Sequence, residues 1–355
     1  MLKEERHQRI VRALEESGSA RVADLSRKLQ SSRATIWRDI DTLAKRGLVT
    51  KVHGGATLVR NNEASAPMER SLELVAPRPG LAIGFQVPES LYYFGPIISG
   101  ARRACERADA RLVVFVSGQA ELPDAVETLV DSDVDGMLLT PDFRVGTGAE
   151  TARWIAGLDR PVVLVERVSP GLALPGVRSV TTAREAGVYA ALEHLQALGH
   201  RRVGLITLSN RGEAMRRVID GWRIAVRELG LNADSDEPRE WIGCEPDEVV
   251  DAVREAGVTG VLCMNDAFAA KIVRSFRRSG VVIPDQLSMI SYDDEIAEHL
   301  KPPLTAVSPE RELVGFVAVQ QLLAVLTSQD AGPGRRISID PTLVVRGSTA
   351  PPPDV

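Results

Sequence analysis

From Leu81 onward the chain alternates short apolar runs with amphipathic helical stretches, and that rhythm leaves few folds open. Apolar runs at residues 81–85, 112–116, 136–140 and 162–165 are each followed by a helix or loop, such as 96–108 or 123–130. A second series has runs at 203–207, 240–242, 260–264 and 287–291, with helical stretches at 212–229, 246–255 and 266–278. Strands that alternate with helices form parallel sheets covered on both faces. Two series predict two such lobes. Ligands of these sheets bind beyond the carboxyl ends of the strands, so two facing lobes hold a ligand in the cleft between them.

The strand ends therefore carry the candidate site. Gln86, Glu89, Tyr92, Tyr93 and Phe94 follow the first run. Asn265 and Asp266 follow the run at 260–264, and Tyr292, Asp293 and Asp294 follow the run at 287–291. Carboxylate and carboxamide groups hydrogen-bond hydroxyls, while aromatic rings stack on the apolar face of a sugar. Asn-Asp and Asp-Asp are also common helix-cap pairs, so only their convergence favours a ligand.

Ahead of this body stands a segment of different character. The whole chain carries a net charge of −5, yet residues 1–60 hold 13 Lys/Arg against 7 Asp/Glu. A basic head on an acidic body points to a head that meets a polyanion. Three helices fit into it, at residues 2–16, 22–29 and 32–45. Ser31-Ser32 supplies N-cap side chains for the third, and Gly47 ends it. At 100° per residue Ile36, Ile40 and Leu43 share one side of that helix. Arg38 and Lys45 point away from it, with Arg33, Thr35 and Trp37 on the flanks. Cations and small side chains on an outer face suit the major groove, where arginine donates two hydrogen bonds to a guanine edge. Residues 48–59 read as a β-hairpin around Gly54-Gly55, with Lys51 and His53 placed to run along phosphates.

The run Ser32-Arg-Ala-Thr-Ile-Trp-Arg-Asp-Ile40, with Leu43, Gly47-Leu48 and Val52-His53-Gly54-Gly55-Ala56, resembles the winged helix-turn-helix domain of DeoR-family bacterial repressors. The resemblance covers about residues 3–60. It implies double-stranded operator DNA as partner and residues 32–45 as recognition helix, with Ser32, Arg33, Thr35, Trp37, Arg38, Lys45, Lys51 and His53 as candidate contacts. Trp37 departs from the family, which usually has arginine there; it is placed either to touch a thymine methyl or sugar or to pack against the second helix, and packing is favoured. Residues 61–79, polar and broken by Pro67, Pro77 and Pro79, read as a linker without a strong hinge-helix pattern.

In the body, Ala191-Leu-Glu-His-Leu-Gln-Ala-Leu-Gly-His200-Arg-Arg-Val-Gly204 precedes Met264-Asn-Asp266, Tyr292-Asp-Asp294 and Pro302-Pro-Leu-Thr305. This order and spacing is similar to the effector-binding core of LacI-family repressors, a type I periplasmic-binding-protein fold, over about residues 80–350. The resemblance implies that Asn265 and Asp293 contact the effector and that Tyr93 and Phe94 form one wall. The family commonly has a ligand-clasping arginine three residues before Gly221-Trp222; this chain has Val218 there, with Arg217 beside it as the candidate. It also has Cys244, not an aromatic residue, before Glu245-Pro246.

The expected fold class is thus α/β, a small winged helix-turn-helix domain followed by a two-lobe, periplasmic-binding-protein-like domain with parallel sheets. The expected protein is a cytoplasmic repressor, a homodimer with a tetramer as alternative, governed by a small carbohydrate effector. Three scattered cysteines form no metal-ligand spacing, and no apolar run approaches the ~18 residues of a membrane span. The charged start, with Lys3, Glu4, Glu5 and Arg6, does not read as a signal peptide, which argues against a free-standing solute receptor. No phosphate loop, dinucleotide fingerprint, nucleophile elbow or zinc helix supports the rival reading of an enzyme, and no metal or cofactor is expected. Cys263 is expected in the core, His200 in a structural turn and Arg277-Arg278 at a solvated helix end.

Overall fold

The computed structural model describes residues 6–58 except 8, 11–18, 30, 46–48 and 53–54. It also describes residues 80–353 except 89–90, 119–121, 142, 144–147, 169–175, 209–211, 233–238 and 328–333. The chain forms two compact units, Met1–Ser71 and Leu72–Val355. The expected linker at 61–79 and His53 lie outside the described residues, as do most of the expected first helix and the side chains of Lys45 and Lys51.

In the first unit, strand β1 (Ser19–Arg21) leads into helix α1 (Val22–Lys28), and α2 (Arg33–Lys45) follows. β2 (Val49–Val52) and β3 (Gly55–Leu58) make the expected hairpin, and β1 adds antiparallel to β3 to complete a three-stranded sheet. β1, only three residues long, was not among the expected elements. Ser32 caps α2: its hydroxyl accepts the Thr35 N–H at 3.1 Å. Ile36, Ile40 and Leu43 close a small core with Ile10, Val22, Leu25 and Leu29. Asp39, on the same helix, is buried and accepts hydrogen bonds from Arg6 at 2.5 and 3.2 Å and pairs with His7 at 3.0 Å. Burial alone would raise its pKa, but these partners hold it below the usual carboxylate range.

The second unit is two-lobed. One sheet runs in the order β14-β8-β7-β6-β4-β5, every neighbouring pair parallel. Its strands are β4 (Ala82–Val87), β5 (Arg111–Val116), β6 (Gly136–Leu139), β7 (Val162–Val165), β8 (Arg178–Thr182) and β14 (Arg336–Ile339). The other sheet runs β10-β9-β11-β12-β13-β15. It comprises β9 (Val203–Thr207), β10 (Glu240–Ile242), β11 (Gly260–Cys263), β12 (Ser288–Tyr292), β13 (Thr305–Ser308) and β15 (Thr342–Val344). This sheet too is parallel except at its edge, where β15 pairs antiparallel with β13. The return strand reaches its sheet after a short turn from the other lobe and cannot run parallel without a crossover.

The chain passes between lobes three times, near residues 183, 310 and 340. The second pass carries a helix, Arg311–Leu326, back onto the first lobe against the helix Leu91–Arg107. These two helices meet backbone to backbone. A Cβ on Gly100 would stand 1.8 Å from the Glu312 carbonyl oxygen, and one on Gly315 would stand 1.9 Å from that of Ile97. Both positions therefore demand glycine. No described helix is long and apolar enough to cross a membrane.

Candidate functional site

The lobes enclose a cleft of about 280 Å³ at the carboxyl ends of their strands. The first lobe brings Tyr92, Tyr93 and Phe94 from the start of the helix Leu91–Arg107, and Glu166 and Arg167 from the end of β7. The second brings Arg184 and Glu213 from the first turns of the helices Arg184–Ala197 and Glu213–Glu228, with Met264, Asn265 and Asp293 from the ends of β11 and β12. Four of the five expected effector contacts, Tyr93, Phe94, Asn265 and Asp293, thus line one space. Arg217 does not line it. Its guanidinium grips Glu185 through two hydrogen bonds at 2.7 and 2.8 Å, one helical turn from the cleft wall. Val218, in place of the family arginine, is fully buried core, and Cys244 packs beside the second lobe's core.

Asp293 is 8% exposed and accepts a hydrogen bond from the Tyr92 hydroxyl of the opposite lobe at 3.0 Å. Burial pushes its pKa up to about 6; Arg311 and the Tyr92 hydrogen bond pull the other way, and the neighbouring Asp266 adds to the rise. Asp266 itself accepts three backbone N–H groups, from Glu295, Ile296 and Ala297, at 2.5, 2.8 and 3.1 Å. It shapes the loop that presents Asp293. Asn265 is both cap and wall: its side-chain oxygen accepts the Phe268 N–H at 2.9 Å.

Across the cleft a buried ion pair spans the lobes. Arg184 Nη2 lies 2.6 Å from Glu166 Oε2 and 3.4 Å from the Tyr93 hydroxyl, and Glu166 Oε1 accepts the Thr182 hydroxyl at 2.7 Å. Arg311 pairs with Glu295 and lies over the Tyr93 ring, 5.5 Å from its centre. Glu166, Asn265, Asp293 and Asp294 all hold positive φ, at 61°, 54°, 94° and 54°. Such strain in non-glycine residues gathers where surrounding contacts over-determine a site.

Because its native pKa lies above the unfolded value, Asp293 holds its proton more tightly in the folded chain. Its contribution to stability is therefore present at low pH and falls as pH rises from about 4 to about 6. Asp293→Asn should remove that slope. In thermal melts, the variant minus wild-type difference should grow between pH 4 and 6 and level off above, with a span on the order of 2–3 kcal/mol. Tyr92, Asp266, Arg184 and Arg311 face this carboxyl and stay constant in the comparison. A difference that does not change with pH would show that folding leaves the Asp293 pKa unshifted.

On the first unit, Arg38 is exposed opposite the core stripe of α2, Arg33 is exposed on its flank and Ser32 at its cap, and Thr35 is half-buried with its hydroxyl 2.8 Å from that of Ser32. Trp37 packs partly against the small core, as expected.

Glu166, Arg184 and Glu213 went unpredicted. Glu166 directly follows an expected strand and could have been found by the strand-end rule. Arg184 follows β8, whose sequence Arg-Ser-Val-Thr-Thr lacks an apolar run. Glu213 sat inside a helical stretch with nothing to distinguish it from a solvated acid. Other residues fall where expected: Cys263 is in the core, and Arg278 pairs with Asp247 at an exposed helix end. His200 ties Thr259 and Ser288 to the Ala350 carbonyl.

A basic-faced helix-turn-helix unit and a two-lobed body with a lined cleft define a ligand-responsive DNA-binding regulator. A model of the DeoR-like helix-turn-helix domain matches residues 6–62, and a periplasmic binding protein-like domain matches residues 192–349. An HTH-type transcriptional regulator from the aml 5′ region of Streptomyces limosus is 29% identical over 93% of this chain and 94% of its own. A LacI-family transcriptional regulator from Enterococcus faecium, solved with bound ribose, superposes with a TM-score of 0.61 at 22% identity, covering 76% of this chain and 99% of that one. The dimeric lac repressor gives 0.64 at 23% identity, over 77% and 100%. The chain is a DNA-binding transcriptional regulator, with one segment similar to the DeoR-like helix-turn-helix domain and another similar to the periplasmic binding protein-like domain.

Proposed function

We propose that this protein is a cytoplasmic repressor that holds two-fold symmetric operator DNA as a homodimer and is controlled by a small, uncharged carbohydrate. α2 enters the major groove, with Arg33 and Arg38 toward base edges and Ser32 and Thr35 toward the backbone. Lys45, Lys51 and His53 extend the same contact. The effector lies between the lobes, and closure around it alters operator affinity. A coupling of ~1–3 kcal/mol is enough to change occupancy 5–150-fold. The observation that carries this reading is the cleft, where carboxylates, a carboxamide, a guanidinium and tyrosines from both lobes line about 280 Å³. That size is near the lower end of small-molecule pockets, ~300–1,000 Å³, and suits a sugar. The ribose in the Enterococcus faecium regulator and the dimeric state of the lac repressor support the effector class and the assembly.

The test is retardation of DNA from the regions flanking the protein's own coding sequence, in a salt series and with a panel of sugars. Binding should weaken steeply as salt rises, because each phosphate contact releases counterions. One sugar should change it at least fivefold. Binding that ignores salt would remove the DNA reading; turnover of a sugar with ATP or NAD would make the body an enzyme.

A further inference from the structure

Two buried polar groups in the cleft have no hydrogen-bond partner among the described residues. Both carboxylate oxygens of Glu213 lack a hydrogen-bond partner among the described residues, although the residue is only 3% exposed. Arg184 Nη1 is in the same condition, while its Nη2 is committed to Glu166. Buried polar atoms are almost always paired, so an orphaned set that lines a cavity marks where a ligand's own groups complete the pairing. Glu213 is not merely half of an ion pair. Arg217 Nε stands 3.8 Å away and is turned to Glu185.

The charge around Glu213 decides what kind of donor fits. Burial raises its pKa, and Arg217, Arg184 and Arg216 offset part of that rise. Three guanidinium groups nearby disfavour a cationic ligand. A carboxylate with two open oxygens instead matches two hydroxyls on neighbouring carbons, each donating one hydrogen bond.

We propose that Glu213 is the specificity-determining residue of the effector site: its two oxygens accept hydrogen bonds from a pair of adjacent hydroxyls on an uncharged ligand, while Arg184 Nη1 donates to a third oxygen. This rests on the cleft being the effector site. It assigns selectivity to the first turn of the helix Glu213–Glu228 and not to Asp293, which Tyr92 already engages.

The experiment is calorimetry on the full chain with D-ribose, D-glucose, D-galactose and cellobiose, then with the monodeoxy and 2-amino analogues of whichever binds. Wild type should lose at least tenfold in affinity when either of two adjacent hydroxyls is removed, and should not prefer the amine. Glu213→Gln should bind the parent sugar at least 30-fold more weakly and discriminate between parent and deoxy analogues less than threefold. It should melt no lower than wild type, since the carboxylate makes no hydrogen bond in the unliganded fold. Sugar binding unchanged in Glu213→Gln would overturn this inference and leave the effector cleft standing. A preference for the amine, or a variant melting several degrees lower, would overturn it too. Failure of wild type to bind any of the four sugars would remove the carbohydrate reading and this inference together.

Discussion

Glu166→Ala should destabilise the two-lobed body by about 3–5 kcal/mol, the cost of leaving a buried cation without its counter-charge. Arg184 is almost wholly buried, and Glu166 Oε2 at 2.6 Å is its ion-pair partner. Removing the carboxylate also strips the Thr182 hydroxyl of its acceptor at 2.7 Å. For a domain of this size about 2–4 °C accompanies each kcal/mol, so the melting temperature should fall by roughly 6–20 °C in calorimetry or circular dichroism. A second variant separates lost charge balance from lost packing. Replacing both partners, Glu166→Leu with Arg184→Met, should recover most of that loss, because buried ion pairs exchanged for apolar groups of similar size are often near neutral. A single variant within 2 °C of wild type would mean that water already screens the pair.

The pair also shows what can and cannot be read from such a sequence. Apolar runs located β7 and β9 to the residue, and the helices Pro246–Glu255 and Asp266–Arg278 likewise, because each is bounded by its own cap or turn residues. The wall residues Asn265 and Asp293 were legible because a strand-end rule ties position to chemistry. The elements that stitch the lobes together were not. β8 and β14 are polar and short, and the helix Arg311–Leu326 is apolar nearly all round because it is buried on every side, so it lacks the stripe that marks a surface helix. Arg184, brought to the cleft by one of those hidden crossings, was invisible for the same reason. Arg217 was read from its neighbour's family role, yet a one-residue step turns a helical side chain by 100° and delivered it to Glu185.

Position on a helix governs the other large effect. Arg38→Ala should reduce affinity for the specific operator by roughly 30-fold to 10⁴-fold, on the assumption of two heads per operator and about 1–3 kcal/mol for each bidentate contact to a base. Ile36, Ile40 and Leu43 are buried, and Asp39 is held inward by Arg6 and His7. These anchors fix the rotation of α2 and leave Arg38 exposed on the opposite side. Arg38→Lys discriminates between the roles open to such a cation. It keeps the charge and loses the planar fork, so operator affinity should fall nearly as far as with alanine, while binding to random DNA and its salt dependence should stay close to wild type. A lysine variant that binds operator as wild type does would place Arg38 on a phosphate. An alanine variant with full operator affinity would mean that a different face of the domain reads the bases, since the buried stripe allows α2 no other rotation.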